Sequence, residues 1–185
     1  MAINTIEEAF EAIKNNVSIL NIPVRFHTEE LCLLSLEMNP DNIRYITHQT
    51  RDICLKAVRS SGHALSYINH KTPEIIREAV KWSPIALMHV NKDLYDYSDI
   101  CLYAVECHPY AFRLVENQTD ELCLLAIRQE GLYLEYVKNQ TEEICLEAVK
   151  QNGLALEYVK CQTLEIIQTA LNQNPEAIKY VKPWS

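Results

Sequence analysis

One register of about 22 residues runs through the chain and constrains the fold more than any other feature. Thr119-Asp-Glu-Leu-Cys-Leu-Leu-Ala-Ile recurs 22 residues later as Thr141-Glu-Glu-Ile-Cys-Leu-Glu-Ala-Val. Extended in both directions, the register opens repeats at Thr5, Thr28, Thr50, Thr72, Tyr97, Thr119, Thr141 and Thr163, with steps of 23, 22, 22, 25, 22, 22 and 22 residues. With the opening residue as position zero, position seven is small in all eight repeats, from Ala12 to Ala170, and position eight is always aliphatic. Position fifteen is apolar throughout, from Leu20 to Ile178, and position twelve is Gly or Pro in seven of the eight.

Each repeat therefore reads as helix, turn, helix. The opening Thr is an N-cap whose hydroxyl can accept from an amide of the first turn. Apolar positions three, four, seven and eight follow helical spacing. The Gly or Pro at twelve is expected to end this helix. Positions thirteen to nineteen then form a shorter second helix, with apolar residues at fourteen, fifteen, seventeen and eighteen. Helices of about eleven and about seven residues do not persist alone in water, so each pair must bury its stripe against its neighbours. The expected fold is all-α: an α-solenoid of about eight helix-turn-helix repeats, a single domain over residues 1–185. Phe26 and Trp184 replace the Gln or Lys of ordinary repeats at position twenty-one and are expected to close the ends. The fourth repeat carries about three extra residues within Lys92-Asp-Leu-Tyr-Asp96, either a tolerated surface loop or a contact loop.

Composition narrows the function. Apolar residues make up 48%, enough for a buried core, and a net charge of −8 is the wrong sign for gripping nucleic acid or an anionic membrane. The start has neither the basic residues nor the apolar run of a signal peptide, and no stretch approaches a membrane span. Seven cysteines without close spacing fit a reducing, intracellular, cytoplasmic setting. Asn117-Gln-Thr and Asn139-Gln-Thr match the glycosylation pattern but fall on repeat junctions and read as repeat residues.

Several ladders carry candidate chemistry. Position two is acidic in every repeat, which suits the positive end of a helix dipole, and position nine is basic in five, which suits the other end. Cys32, Cys54, Cys101, Cys123 and Cys145 share position four with Ala9, Ile76 and Ile167, so the site wants a small apolar side chain and reads as core. One thiol per repeat along a line does not converge on a metal. Tyr45, Tyr67, Tyr136, Tyr158 and Tyr180 share position seventeen with His89. A tyrosine there can pack with its hydroxyl at the surface, or it can join a row of aromatic contacts along one groove. Position sixteen beside it varies: Arg44, Arg113, Glu135, Glu157 and Lys179.

Enzyme chemistry is weakly represented. His48 and His70 sit at position twenty of adjacent repeats without a carboxylate or thiol at hand. Cys107-His108 resembles a dyad, but neighbours on one helix point about 100° apart. There is no Gly-rich phosphate loop, no His-Glu-x-x-His and no Gly-x-Ser-x-Gly. No catalytic residue, metal or cofactor is expected.

The repeat core, Thr141-Glu-Glu-Ile-Cys-Leu-Glu-Ala-Val-Lys-Gln-Asn-Gly-Leu-Ala-Leu-Glu-Tyr-Val-Lys, resembles the family known as domain of unknown function 4116, found in large DNA viruses of amoebae and some intracellular bacteria. The likeness is close for 119–160, good for 28–118 and 163–182, and weak for the first repeat. It implies a helical repeat array in a viral or intracellular bacterial protein and transfers no active site. The sequence departs from the pattern at Tyr97, leaving Ser98 or Asp99 to cap that helix with its start shifted by a residue or two.

The expected function is a non-enzymatic scaffold for another protein or peptide, with no nucleic acid and no membrane as partner. The candidate contacts are Tyr45, Tyr67, His89, Tyr136, Tyr158, Arg44, Arg113, Glu135 and Glu157. A self-assembling module or homo-oligomer is the alternative. An enzyme built across repeats, around Cys107, His108 and Asp93–Asp96, is the third.

Overall fold

The computed structural model describes residues 3–94 and 96–183, so Tyr95 and the expected closure by Trp184 lie outside the described residues. The first helices of the repeats are α1 (Ile6–Lys14), α2 (Glu29–Met38), α3 (Arg51–Ser60), α4 (Pro73–Trp82), α5 (Tyr97–Cys107), α6 (Asp120–Gln129), α7 (Glu142–Gln151) and α8 (Leu164–Gln173). The chain forms two compact units, Met1–Ile100 and Cys101–Ser185, with the division inside α5. In the first unit α1 to α4 pack in sequence, each against the next; in the second, α6, α7 and α8 do the same. Both units are stacks of helix pairs, the arrangement of an α-solenoid.

The threonine caps form as their chemistry requires. Thr5, Thr28, Thr50, Thr72, Thr119, Thr141 and Thr163 each accept, on Oγ1, the N–H three residues on. The exception is α5. It starts at Tyr97, one residue earlier in the register than its counterparts, with the Ile100 N–H donating to the Asp96 carbonyl. Ser98 and Asp99 thus lie inside the helix, and buried Tyr97 takes a core place instead of capping.

The second helices correct the sequence reading in two ways. They are 3-10 helices, and they begin at position twelve: Pro40–Tyr45, Gly62–Tyr67, Pro84–His89, Pro109–Leu114, Gly131–Tyr136, Gly153–Tyr158 and Pro175–Tyr180. The residue at position eleven, extended at φ near −150°, ends the first helix, and the Gly or Pro opens the second. Proline suits that place because the first N–H of a helix has no intrahelical partner. Glycine is there for room. A Cβ at Gly153 would sit 2.5 Å from the Ala170 carbonyl oxygen, and one at Gly131 2.6 Å from that of Ala148.

A three-residue turn eclipses i and i+3. Positions twelve, fifteen and eighteen therefore form one buried row, such as Gly153, Leu156 and Val159. Positions thirteen and sixteen form an outer row, and position seventeen lies between them half-buried. The first repeat departs from this. Asn16 takes a left-handed φ of 61° after α1, and the second helix breaks into Ile19–Asn21 and Val24–Phe26 around Pro23. Burial there shifts by one, to Ile19 and Ile22, and Leu20 is left exposed. Phe26 is half-buried, with the Arg25 guanidinium 4.7 Å from its ring centre.

Side-chain amides stitch one repeat to the next. Gln49, Gln118, Gln140 and Gln162, all at position twenty-one, donate to the position-seventeen carbonyl of the following repeat at 2.9–3.0 Å and accept its position-nineteen N–H. A second set acts at α-helix ends. Gln151 and Gln173 accept the N–H of Gly131 and Gly153. Lysines add a third: Lys138, Lys160 and Lys182 donate to the Glu116, Lys138 and Val159 carbonyls of the repeat before. Position nine does more than meet a dipole, since Arg59 pairs with Glu78 at 2.6 Å and Arg128 with Glu147 at 3.6 Å across the junction.

Candidate functional site

The outer row and the half-buried tyrosines are held by the 3-10 helices, and the structure brings several of the sequence candidates together there. In the first unit the Arg44 guanidinium lies 4.5 Å from the Tyr67 ring centre, and Nη2 donates to the Tyr67 hydroxyl at 2.5 Å. Arg44 also stands 5.6 Å from the ring of Tyr45. In the second unit Arg113 repeats the geometry on Tyr136, again at 4.5 Å. Both are a position-sixteen arginine over the position-seventeen tyrosine of the next repeat. A cation over an aromatic face at an exposed site contributes about 0.5–1 kcal/mol, which favours this ring position over others.

Acidic residues take over beyond Arg113. The Glu135 carboxylate, then burial, pushes the ionisation of Tyr136 above the ordinary range. Burial, then Glu157 and Glu135, do the same to Tyr158. The second unit thus presents neutral phenols among exposed carboxylates.

His89 belongs to a chain the sequence reading missed. Its Nε2 is 3.0 Å from His63 Nδ1, and His63 Nε2 is 3.2 Å from the Tyr67 hydroxyl. Arg44, Tyr67, His63 and His89 so link three repeats by hydrogen bonds. Burial, the neighbouring His63 and Lys71 hold His89 below its ordinary value, which keeps it neutral. His63 gave no signal because position thirteen carries no constant residue type.

The cysteines of position four are buried, and burial pushes the Cys32, Cys123 and Cys145 thiols up to about 11. Cys107 ends α5 and is half-buried, while His108 precedes the next helix. Asp93 and Asp96 lie in the turn before α5, where the Asp93 N–H donates to Asn91 Oδ1. His48 and His70 are exposed. Among the described residues no three His, Cys, Asp or Glu side chains gather as metal ligands would, and no helix is long and apolar enough to cross a membrane.

The profile of the family described as domain of unknown function (DUF4116) matches residues 28–72, 50–95, 119–160 and 141–183. Each match spans two repeats; the first two overlap by one repeat, and so do the last two. The fifth repeat, where Tyr97 replaces the capping threonine, falls outside them, and so does the first. No curated protein and no solved structure matches the chain. Four matches that together cover most of the sequence and keep the 22-residue register show that the chain belongs to the DUF4116 family of helical repeats.

Proposed function

We propose that this chain is a non-enzymatic helical-repeat scaffold that holds another protein or a peptide along the outer row of its 3-10 helices. The observation that carries the reading is the recurrence of one arginine-over-tyrosine geometry, Arg44 on Tyr67 and Arg113 on Tyr136, on a surface whose other positions vary. Ordered aromatic rings beside variable charge are what a binding surface needs, because little side-chain entropy is lost on contact. The buried row beneath holds the frame constant while the outer row changes. Nucleic acid and membrane are not partners in this reading, in keeping with a net charge of −8. Seven free cysteines support an intracellular, cytoplasmic setting, and the family's occurrence supports a viral or intracellular bacterial protein.

Alanine at Tyr136 and Tyr158 tests it. Partner binding should fall while helicity by circular dichroism is kept; lost helicity would make these rings core rather than contacts.

One observation favours self-assembly as a second reading. Ile178 is 62% exposed where its counterpart Leu156 is 0%. An apolar side chain open at a stacking position can take a further helix pair from another chain. Light scattering decides: a strict monomer at high concentration removes this reading.

A further inference from the structure

We infer that Tyr158, flanked by Glu135 and Glu157, is the seat for an arginine of a basic partner segment, an inference that rests on the scaffold reading and names its partner class.

Four of the five position-seventeen tyrosines already carry a cation from the chain itself. Arg44 stands 5.6 Å from the Tyr45 ring centre and 4.5 Å from that of Tyr67. Arg113 stands 4.5 Å from that of Tyr136, and Lys179 Nζ 4.9 Å from that of Tyr180. All four distances are within the reach of a cation–π contact. Tyr158 is the exception: among the described residues no arginine or lysine stands over its ring. The stack explains the gap. On Tyr67 and Tyr136 the cation is the position-sixteen residue of the repeat before, and for Tyr158 that residue is Glu135. The 3-10 helices Gly131–Tyr136 and Gly153–Tyr158 pack against each other. A carboxylate therefore takes the register position toward Tyr158 that a guanidinium takes toward Tyr136.

The chemistry of this rung identifies its occupant. Tyr158 is half-buried, while Glu135 and Glu157 are exposed and, among the described residues, neither is in an ion pair. After burial, these two carboxylates push the ionisation of Tyr158 up, so the phenol stays neutral and the charge around it negative. A guanidinium laid on the ring gains the attraction of the aromatic face and can reach a carboxylate with its N–H fork. A neutral side chain gains neither. Arginine suits the place better than lysine because its flat group stacks and bonds at once. Both cations that cross a repeat junction onto a tyrosine of this row are arginines. The surroundings favour the same partner. Residues 101–185 carry seven Lys or Arg against twelve Asp or Glu, so a basic segment is drawn in and an acidic one repelled.

The test is selection of random short peptides displayed on phage against the intact chain, then binding of a synthetic copy of an enriched peptide to wild type and two variants. Glu135→Arg gives Tyr158 a guanidinium from the chain itself, as Arg113 gives one to Tyr136, and so fills the seat. Glu143→Arg makes the same change of charge at the start of α7. Both glutamates are exposed, so the core is left alone, and circular dichroism checks that both variants fold. The expected result is enrichment of arginine, with binding at least about tenfold weaker to Glu135→Arg and within about twofold of wild type for Glu143→Arg. Citrulline in place of the peptide's arginine keeps the shape, removes the charge and should weaken binding as much. Arginine-free peptides held equally by wild type and Glu135→Arg but lost with Tyr136→Ala would overturn this inference and leave the scaffold reading standing. Acidic peptides, equal binding of the arginine and citrulline forms, an equal loss with Glu143→Arg, or no peptide selected would each overturn it.

Discussion

The Gln140 side chain joins the sixth repeat to the seventh through Tyr158: its Nε2 donates to the Tyr158 carbonyl at 3.0 Å and to its own repeat's Leu134 carbonyl at 3.3 Å, while Oε1 accepts from the Lys160 N–H at 2.9 Å. One amide thus bonds backbone groups of two repeats. Gln140→Ala takes this partner from the Tyr158 carbonyl and the Lys160 N–H, at a cost of about 1–3 kcal/mol. The unfolding midpoint should fall by about 2–4 °C for each kcal/mol in a chain of this length. Gln140→Glu should fall similarly, because it removes the donor and keeps the shape. An unchanged midpoint in both would deny the stitch its role.

Gly153 is tied to Gln173 by a backbone N–H donated at 2.5 Å, and its α-carbon faces the Ala170 carbonyl. Gly153→Ala forces the seventh and eighth repeats apart and should destabilise by about 1–3 kcal/mol, as overpacking does. The φ at this glycine is not positive, so the cost is one of space rather than backbone strain. Chemical denaturation measures it. A neutral substitution would contradict the close approach.

The cysteines should divide by burial. Cys161 is exposed and Cys145 is buried with its thiol pushed up to about 11. A thiol-reactive chromophore at neutral pH should therefore label Cys161 within minutes and Cys32, Cys54, Cys101, Cys123 and Cys145 only on unfolding. Mass spectrometry of the labelled peptides reads the order. Rapid labelling of Cys145 in the folded chain would refute its core assignment.

The His63–His89 contact makes part of the stability depend on pH. His89 is held below its ordinary value near 6.5, so the unfolded chain binds its proton more readily than the folded one. Its contribution is full above that value and is lost as pH falls through it toward the lower folded value. Thermal midpoints should drop between neutral pH and mildly acidic pH, and His89→Gln should flatten part of that slope. An identical slope in the variant would mean the pair does not share a proton-sensitive contact.

Much of the fold was legible because it rests on local chemistry repeated eight times. Thr141 caps its helix for the same reason Thr119 does, and the spacing of Ile144, Cys145, Ala148 and Val149 leaves one face to bury. The type of the second helix was not legible. In a six-residue run such as Gly153-Leu-Ala-Leu-Glu-Tyr158, apolar residues spaced by three fit either helix period, and the choice falls to packing against the next repeat. The role of position twenty-one was not legible, although Gln49, Gln118, Gln140 and Gln162 stand there, because a glutamine's partners are backbone groups, which sequence does not display. The arginine–tyrosine pairs were visible as two adjacent ladders, but their pairing across repeats rather than within one needed the stack. His63 left no ladder at all, since it occurs once at its position.

The measurement that bears most directly on the scaffold reading is a tagged pull-down from the native cell's lysate, read by mass spectrometry, with a Glu135→Lys, Glu157→Lys variant in parallel. A partner retained by wild type and lost by the folded variant is the predicted result, because both carboxylates flank half-buried tyrosines on the outer row. A partner retained equally by both, or recovery of nothing beyond the protein's own chain, would contradict it.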